Sequence, residues 1–309
     1  MSTKRFVQPY FLFQPTQVFR ATYFKIKGKP NVEFNVRLPW GDSILVPPPN
    51  KDYVGHRLIM HGILAMEACE AAFRLCSVGN TVVDVGANVG VVTSALSYSV
   101  GEKGKVYAFE ANPVTFSTLR RNLKTLRYQK TIHAFSYALS DGDGIIKMGL
   151  SDDYNNNIGV SYVTKNVTLP DNHCVEKVHS KKLDNVLSPS VDIKLLKMDI
   201  ERHEYYALKG AEKLLSNLRI ENIFFEDVDV GDTKTKELLW NYGYKIYKTE
   251  TSLCKPIISE VPCSGYSIEG KSNNYSDFIA TLDPQNLLNK YSSPGWKCFR
   301  FDYKQQSRT

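Results

Sequence analysis

The chain has 309 residues, 42% of them hydrophobic, enough to bury a full core in one principal domain with decorations. Its 39 Lys and Arg against 32 Asp and Glu give a formal charge of +7, with the basic residues scattered, so a dedicated nucleic-acid surface is not indicated. No run approaches the roughly eighteen apolar residues of a membrane span, and the six cysteines show neither Cys-x-x-Cys nor His at zinc spacing, so neither a span, a disulfide framework nor a structural metal is expected.

Met1-Ser-Thr-Lys-Arg5 leads into a stretch broken by Pro9, Gln14, Pro15 and Gln17, which does not make a signal-peptide core. A cytoplasmic protein with no membrane partner is therefore expected. Residues 1–30 mix aromatic and basic residues without a clear period. From Asn31 to Val46 the string alternates, passes through Pro39-Trp-Gly-Asp42 and resumes as Ser43-Ile-Leu-Val46, which predicts a β-hairpin stopped by Pro47-Pro-Pro49. His56 to Cys76 carries apolar residues at helical spacing and predicts one amphipathic helix, with Cys69 and Cys76 as core packing.

Val82 to Val85 is the first core strand, followed by the turn Gly86-Ala-Asn-Val-Gly90, a helix to Ser99, and the strand Val106 to Phe109 ending in Glu110. This is the outline of a βαβ nucleotide site, where glycines let backbone approach a ligand and a strand-end carboxylate holds a ribose diol. A dinucleotide fingerprint needs glycines at the places held by Asn88 and Val91, so NAD is disfavoured. The spacing of Asp84, Gly86, Gly90 and Glu110 suits a ligand without pyrophosphate, such as S-adenosylmethionine.

Asn112-Pro113 opens the next helix, with Phe116, Leu119, Leu123 and Leu126 on one face. Strand Thr131 to Tyr137 leads through Ala138-Leu-Ser-Asp141 and a Gly142-Asp-Gly144 turn to a strand over Ile145–Leu150. Residues 151–180 are polar and Asn-rich, read as an irregular, substrate-facing loop. Ile193 to Asp199 is a buried strand closing in an acid. A helix from Tyr205 to about Asn217, a strand from Ile220 to Phe225, a helix from Thr233 to Tyr242, and an antiparallel pair of Tyr244–Tyr247 with Asp277–Leu282 complete the pattern. This alternation predicts an α/β fold, a parallel sheet with helices on both faces. Asp84, Glu110, Asp141, Asp199 and Glu226 fall at strand ends and are expected on one rim.

These motifs in this order resemble the FkbM family of S-adenosylmethionine-dependent methyltransferases, a branch of the class I methyltransferase fold. The resemblance rests on Val83-Asp-Val-Gly-Ala-Asn-Val-Gly90, on Ala108-Phe-Glu-Ala-Asn-Pro113 with Asn122, on Ala138-Leu-Ser-Asp-Gly142, on Leu183-Asp184, and on Leu196-Lys-Met-Asp-Ile-Glu201 with Glu204 and Gly210-Ala211. It implies a Rossmann-like sheet over residues 56–250, preceded by an extension with the hairpin (1–55) and followed by a closing strand and tail (251–309). The departure is at Arg202-His203, where the family usually has a small pair; large side chains are expected beside the reaction centre there.

Carried over residue by residue, the resemblance implies that Gly86, Ala87, Asn88 and Gly90 shape the cofactor turn and that Glu110 accepts hydrogen bonds from ribose hydroxyls. Asp84 is expected to orient the turn and the cationic methionine portion, a simple cap being the alternative. Leu139, Ser140 and Asp141 are candidates for an adenine pocket or a plain turn. Asp199 lies nearest the transferred methyl. Asp199, Glu201, His203 and Glu204 are candidate proton acceptors, His203 because its ordinary pKa is about 6.5; Glu201 is favoured for the site and Glu204 left between site and helix cap. No metal is expected. The implied reaction is methylation of a hydroxyl on a sugar or secondary metabolite, a small-molecule or glycan acceptor. An RNA or protein methyltransferase, or a non-catalytic S-adenosylmethionine-binding protein, are the alternatives, with an oxidoreductase last.

Overall fold

In a computed structural model the described residues are 8–150, 161–163, 175–228, 233–263 and 275–299. Residues 9–27, unassigned from periodicity, form α1 (Pro9–Phe13) and α2 (Pro15–Lys27), each opened by a proline in its first turn, where a missing N–H leaves no helical bond unmade. The predicted hairpin is β1 (Phe34–Arg37) antiparallel to β2 (Ser43–Val46). The single helix expected over His56–Cys76 is instead two, α3 (Tyr53–His61) and α4 (Met66–Leu75). Gly62, left-handed at φ +75, ends the first, as glycine commonly ends helices, and Ala65 at φ +48 precedes the second.

The chain continues through β3 (Thr81–Val85), α5 (Val91–Val100), β4 (Lys105–Phe109), α6 (Pro113–Leu123) and β5 (Ile132–Phe135). A side sheet follows, formed by β6 (Ala138–Leu139), β7 (Gly144–Leu150), β8 (Ser161–Val163) and β9 (Val175–Lys181) in the order β6-β9-β7-β8. Part of the stretch expected to be irregular is therefore strand, and the rest of that loop, 151–160 and 164–174, lies outside the described residues.

Then come α7 (Leu183–Val186) and β10 (Ile193–Met198). The one helix expected over Tyr205–Asn217 is divided into α8 (Glu204–Lys209) and α9 (Glu212–Ser216). The division falls at Gly210, where a Cβ would stand 2.0 Å from the Ser140 carbonyl oxygen. Last come β11 (Ile220–Val228), α10 (Lys234–Asn241), β12 (Lys245–Thr251), β13 (Pro256–Val261), β14 (Tyr275–Thr281) and α11 (Pro284–Ser292).

The main sheet runs β13-β12-β14-β11-β10-β3-β4-β5. Its five strands from β11 to β5 are parallel, as the alternation predicted, and β14 inserts antiparallel between β11 and β12. Successive residues of each strand face opposite sides. Val82, Val106 and Leu195 pack with α4, α5 and α6 in one core, while Val83, Leu196 and Ile223 pack with α8, α9 and α10 in the other. The sheet is thus covered on both faces.

The segments around the sheet are tied down by polar contacts. Trp40 Nε1 donates to Ser94 Oγ (2.7 Å), which donates to Asp42 (2.7 Å), fixing the hairpin to α5. Asn122 bridges β2 and the turn after β3, giving its amide to the carbonyls of Leu45 (2.9 Å) and Val89 (2.8 Å). At the other end, Arg74 of α4 donates to Glu70 (2.6 Å) and to the carbonyl of Gly295 (2.6 Å), and Glu70 accepts from the backbone N–H of Lys297 and Cys298.

Both side chains of this ion pair are fully buried. Removing one partner leaves a desolvated charge, so Arg74→Met is expected to lower unfolding free energy by about 3–5 kcal/mol. Urea denaturation checks this, and Arg74→Met with Glu70→Leu is expected to recover part of the loss.

Candidate active site

The order of strands reverses between β3 and β10, and at their carboxyl ends opens a cleft of about 390 Å³, within the usual range for small-molecule sites. Its lining comes from the turn after β3 (Gly86, Ala87, Asn88), from Glu110 after β4, from Tyr137 and Leu139, from Asp199, Glu201 and His203 after β10, and from Glu226 and Asp277.

The turn is built by close approach. The Gly86 and Ala87 N–H groups both donate to the Phe109 carbonyl (2.9 Å each), and Gly86 is left-handed at φ +76. A Cβ on Gly86 would stand 2.1 Å from the Asp199 carbonyl oxygen. Asn88, also left-handed at φ +50, turns its N–H onto Glu110 Oε2 (2.9 Å), while Asn112 N–H meets Glu110 Oε1 (2.9 Å). Each Glu110 oxygen thus accepts one backbone bond and keeps acceptor capacity toward the cleft. Burial pushes this carboxyl above the usual range, against the opposing effect of those two N–H groups.

Beneath the turn lies Lys197, which sequence reasoning passed over. Its Nζ donates to the Gly86 carbonyl (2.8 Å) and pairs with Asp84 (3.3 Å) and Asp199 (3.8 Å). Burial works to lower its pKa, but Asp84 and Asp199 outweigh burial and hold the ammonium above its ordinary value. The available signal was a lysine within the otherwise apolar end of the strand Ile193–Met198.

Several expected positions are corrected by this arrangement. Asp84 is fully buried below the floor, outside the cleft lining, where Thr93 Oγ1 donates to it (2.6 Å) and Lys197 pairs with it. Gly90, left-handed at φ +99, closes the turn at the start of α5, buried and outside the cleft lining. Leu139 lines the cleft, whereas Ser140 and Asp141 do not; Ser140 Oγ donates to Asp141 (3.1 Å) and lies 3.0 Å from His203 Nε2. Of the five acids expected on one rim, Glu110, Asp199 and Glu226 are there and Asp84 and Asp141 are not.

At the departure Arg202-His203 one side chain lies outside the cleft lining and the other forms part of it. Glu201 and Arg202 are consecutive left-handed residues at φ +52 and +74, a conformation that costs any side chain and that glycine adopts freely. Arg202 is exposed, with its guanidinium over the Tyr275 ring at 5.1 Å, outside the cleft lining. His203 is buried, stacked on Tyr206 with ring centroids 5.0 Å apart. Glu204 faces the helix start, where Oε1 accepts the Ile200 N–H (3.0 Å), and burial raises its pKa to about 7.

Asp277 was read only as part of a closing strand. In register it sits directly opposite Glu226 across β11 and β14, so the two carboxyls share a face. Burial, then the neighbouring acids Asp199 and Glu201, raise Glu226 to about 7; burial, with Glu67, Asp199 and Glu226, holds Asp277 well above its usual range.

A model of the methyltransferase FkbM domain matches residues 84–246, just over half of the chain. The protein belongs to this family. It is accordingly an S-adenosylmethionine-dependent methyltransferase, and S-adenosylmethionine is its cofactor. No curated protein matches the chain. Similar solved structures include a SAM-dependent O-methyltransferase from Thermotoga maritima (13% identity, 82% of this chain and 93% of that one, TM-score 0.43). Others are a precorrin-6y C5,15-methyltransferase from Geobacter metallireducens (14%, 70% and 86%, 0.40) and Aeropyrum pernix fibrillarin with bound S-adenosyl-L-methionine (12%, 70% and 76%, 0.37). Likeness at that level is too distant to carry a substrate across.

The residues present fit the cofactor by their chemistry. Glu110 offers two oxygens to a diol, Leu139 and Phe109 offer apolar wall, and the carboxylates suit a cationic sulfonium and ammonium. Among the described residues no group of His, Cys, Asp and Glu has the arrangement of a metal site, and no helix is long and apolar enough to cross a membrane.

Gly86→Ala adds a Cβ against the Asp199 backbone at a left-handed position. Stability is expected to fall by about 2 kcal/mol or more, read by urea denaturation, with weaker S-adenosylmethionine binding read by calorimetry.

Proposed function

We propose that the protein transfers methyl to a hydroxyl oxygen of a sugar or a secondary metabolite. The observation that carries this reading is the Glu226–Asp277 pair facing the cleft. An alcohol must lose its proton as the new bond forms, so its methylation calls for a proton acceptor beside it. Two carboxyls on one face of adjacent strands do not both ionise readily, so the pair holds one proton and leaves one carboxylate. With its pKa near 7, Glu226 is the member able to take a proton at neutral pH.

Bound S-adenosylmethionine supplies a methyl group on a sulfonium centre. Glu110 would hold the ribose hydroxyls beside the turn from Gly86 to Asn88. Asp199, its side chain partly exposed on the lining and paired to Lys197, would offer its carboxylate to the positive charge of the donor. Glu226 receives the acceptor's proton. Positioning donor and acceptor in line supplies much of the acceleration of such a displacement. His203, buried on Ser140, is a positioning residue in this scheme, and Glu204 belongs to the helix start. Glu201, at a left-handed position on the lining, shapes the acceptor end. A phosphate-rich RNA acceptor is disfavoured by the acids around the cleft, and Arg202 turned outside the lining weakens the motive for a non-catalytic protein.

Two measurements test the reading. Calorimetric titration with S-adenosylmethionine is expected to show Glu110→Ala binding roughly 10–100-fold more weakly, the range for a lost charge-assisted hydrogen-bond acceptor. With a hydroxylated acceptor, the rate is expected to rise with pH through about 7, because Glu226 must be unprotonated to accept, and to level above it. Glu226→Gln is expected to lower kcat about 100-fold and remove that rise. Methylation of a peptide or RNA amine, with every hydroxyl acceptor inert, would overturn the proposal.

A further inference from the structure

The outer face of α2 has no role in the cleft. Its inner face is anchored: Ala21 is buried with Ile59 and Met60 of α3, and Gln17 Nε2 donates to the Ile59 carbonyl (2.8 Å). The opposite face shows Phe19 (77% exposed), Tyr23 (56%) and Ile26 (76%) at i, i+4 and i+7, and Leu12 of the preceding α1 is exposed as well (55%). That spacing is an apolar stripe on one side of a helix, here turned outward. Exposed large aromatics and aliphatics in a continuous line are unusual on a protein surface and mark an interaction site.

Charge identifies the partner. Residues 1–32 contain no Asp or Glu and six Lys and Arg. Lys25 and Lys27 stand in the last turn of α2 beside the stripe, and Lys29 follows it. The nearest acid in sequence, Glu33, is already held by Arg121 at 2.7 Å. Pairing this face with a second copy would bring lysines against lysines with no acid on the helix to offset them. An apolar stripe flanked by cations complements an interface of acyl chains under anionic headgroups. We propose that α2 binds the surface of an anionic lipid bilayer, lying in the plane of the interface. The sequence-based expectation of no membrane partner rested on the absence of a spanning run, which a helix of this kind does not need.

Flotation of the full-length protein tests this with vesicles of phosphatidylcholine alone and of phosphatidylcholine mixed with phosphatidylserine. Binding is expected to the mixed vesicles only and to weaken with added salt. Two variants change exposed positions, Phe19→Ser with Ile26→Ser and Lys25→Glu with Lys27→Glu. Each is expected to lose roughly tenfold or more of the binding while keeping the parent's circular dichroism and its affinity for S-adenosylmethionine. The proposal is overturned by failure to bind the mixed vesicles, by equal binding to both vesicles, or by variants that bind like the parent. It is equally overturned if light scattering shows self-association that Phe19→Ser with Ile26→Ser abolishes in place of vesicle binding.

Discussion

The site depends on one buried ammonium. Lys197 stands at the end of β10 and reaches across to β3, where it holds the Gly86 carbonyl and the Asp84 carboxylate at once. Without a cation at that point, Asp84 would be a fully buried charge left, among the described residues, with the Thr93 hydroxyl, a state that costs several kcal/mol. With it, the ends of β3 and β10 are drawn together closely enough that Gly86 admits no side chain against Asp199. The glycine, the lysine and the two acids are therefore a single solution to one packing problem. The same ammonium also forms an ion pair with Asp199, whose carboxylate lines the cleft.

That arrangement explains why the rest of the rim is acidic without being neutralised. Lys197 is the cation of the floor, and it is already engaged by Asp84 and Asp199. Glu201, Glu226 and Asp277 are each raised above their usual range, with burial as the largest cause and Asp199 adding to it in all three. Glu110 belongs to the same field but differs in kind: two backbone N–H groups oppose the effect of its burial. The cleft thus sets a carboxylate held by two backbone N–H groups apart from a pair whose carboxyls are raised by burial and like-charge proximity.

What the sequence made legible follows the range over which its signals act. The parallel strands and the turn from Gly86 to Gly90 are written locally, in apolar runs and in glycine spacing, and they stand where expected. Asp84 was misplaced because a strand-end acid looks the same whether it faces a ligand or a lysine from another strand. The break at Gly62 was hidden because apolar periodicity continues across it through Ile63, Leu64 and Met66. Asp277 was invisible as a site residue for a third reason. It lies on an antiparallel strand far along the chain, and its meaning comes only from the register that sets it opposite Glu226. Arg202 shows the converse: its size suggested an obstruction, and the left-handed backbone directs it to Tyr275 instead.

The two ends of the chain meet the sheet on terms that leave different amounts of surface over. The segment after α11 is drawn inward by the buried Glu70–Arg74 pair, whose bonds reach Gly295, Lys297 and Cys298, and Trp296 is fully buried there. The helix α2 is held by a narrow strip, Gln17, Ala21 and the partly buried Phe24, so most of its circumference remains outside. A helix that needed only that strip for docking would be expected to carry polar residues elsewhere. Its outward Phe19, Tyr23 and Ile26 are not needed for the core, and the adjoining α3 lends Val54 to the cleft wall. Contact made by the outer face of α2 would therefore act on a helix pair that also borders the active site.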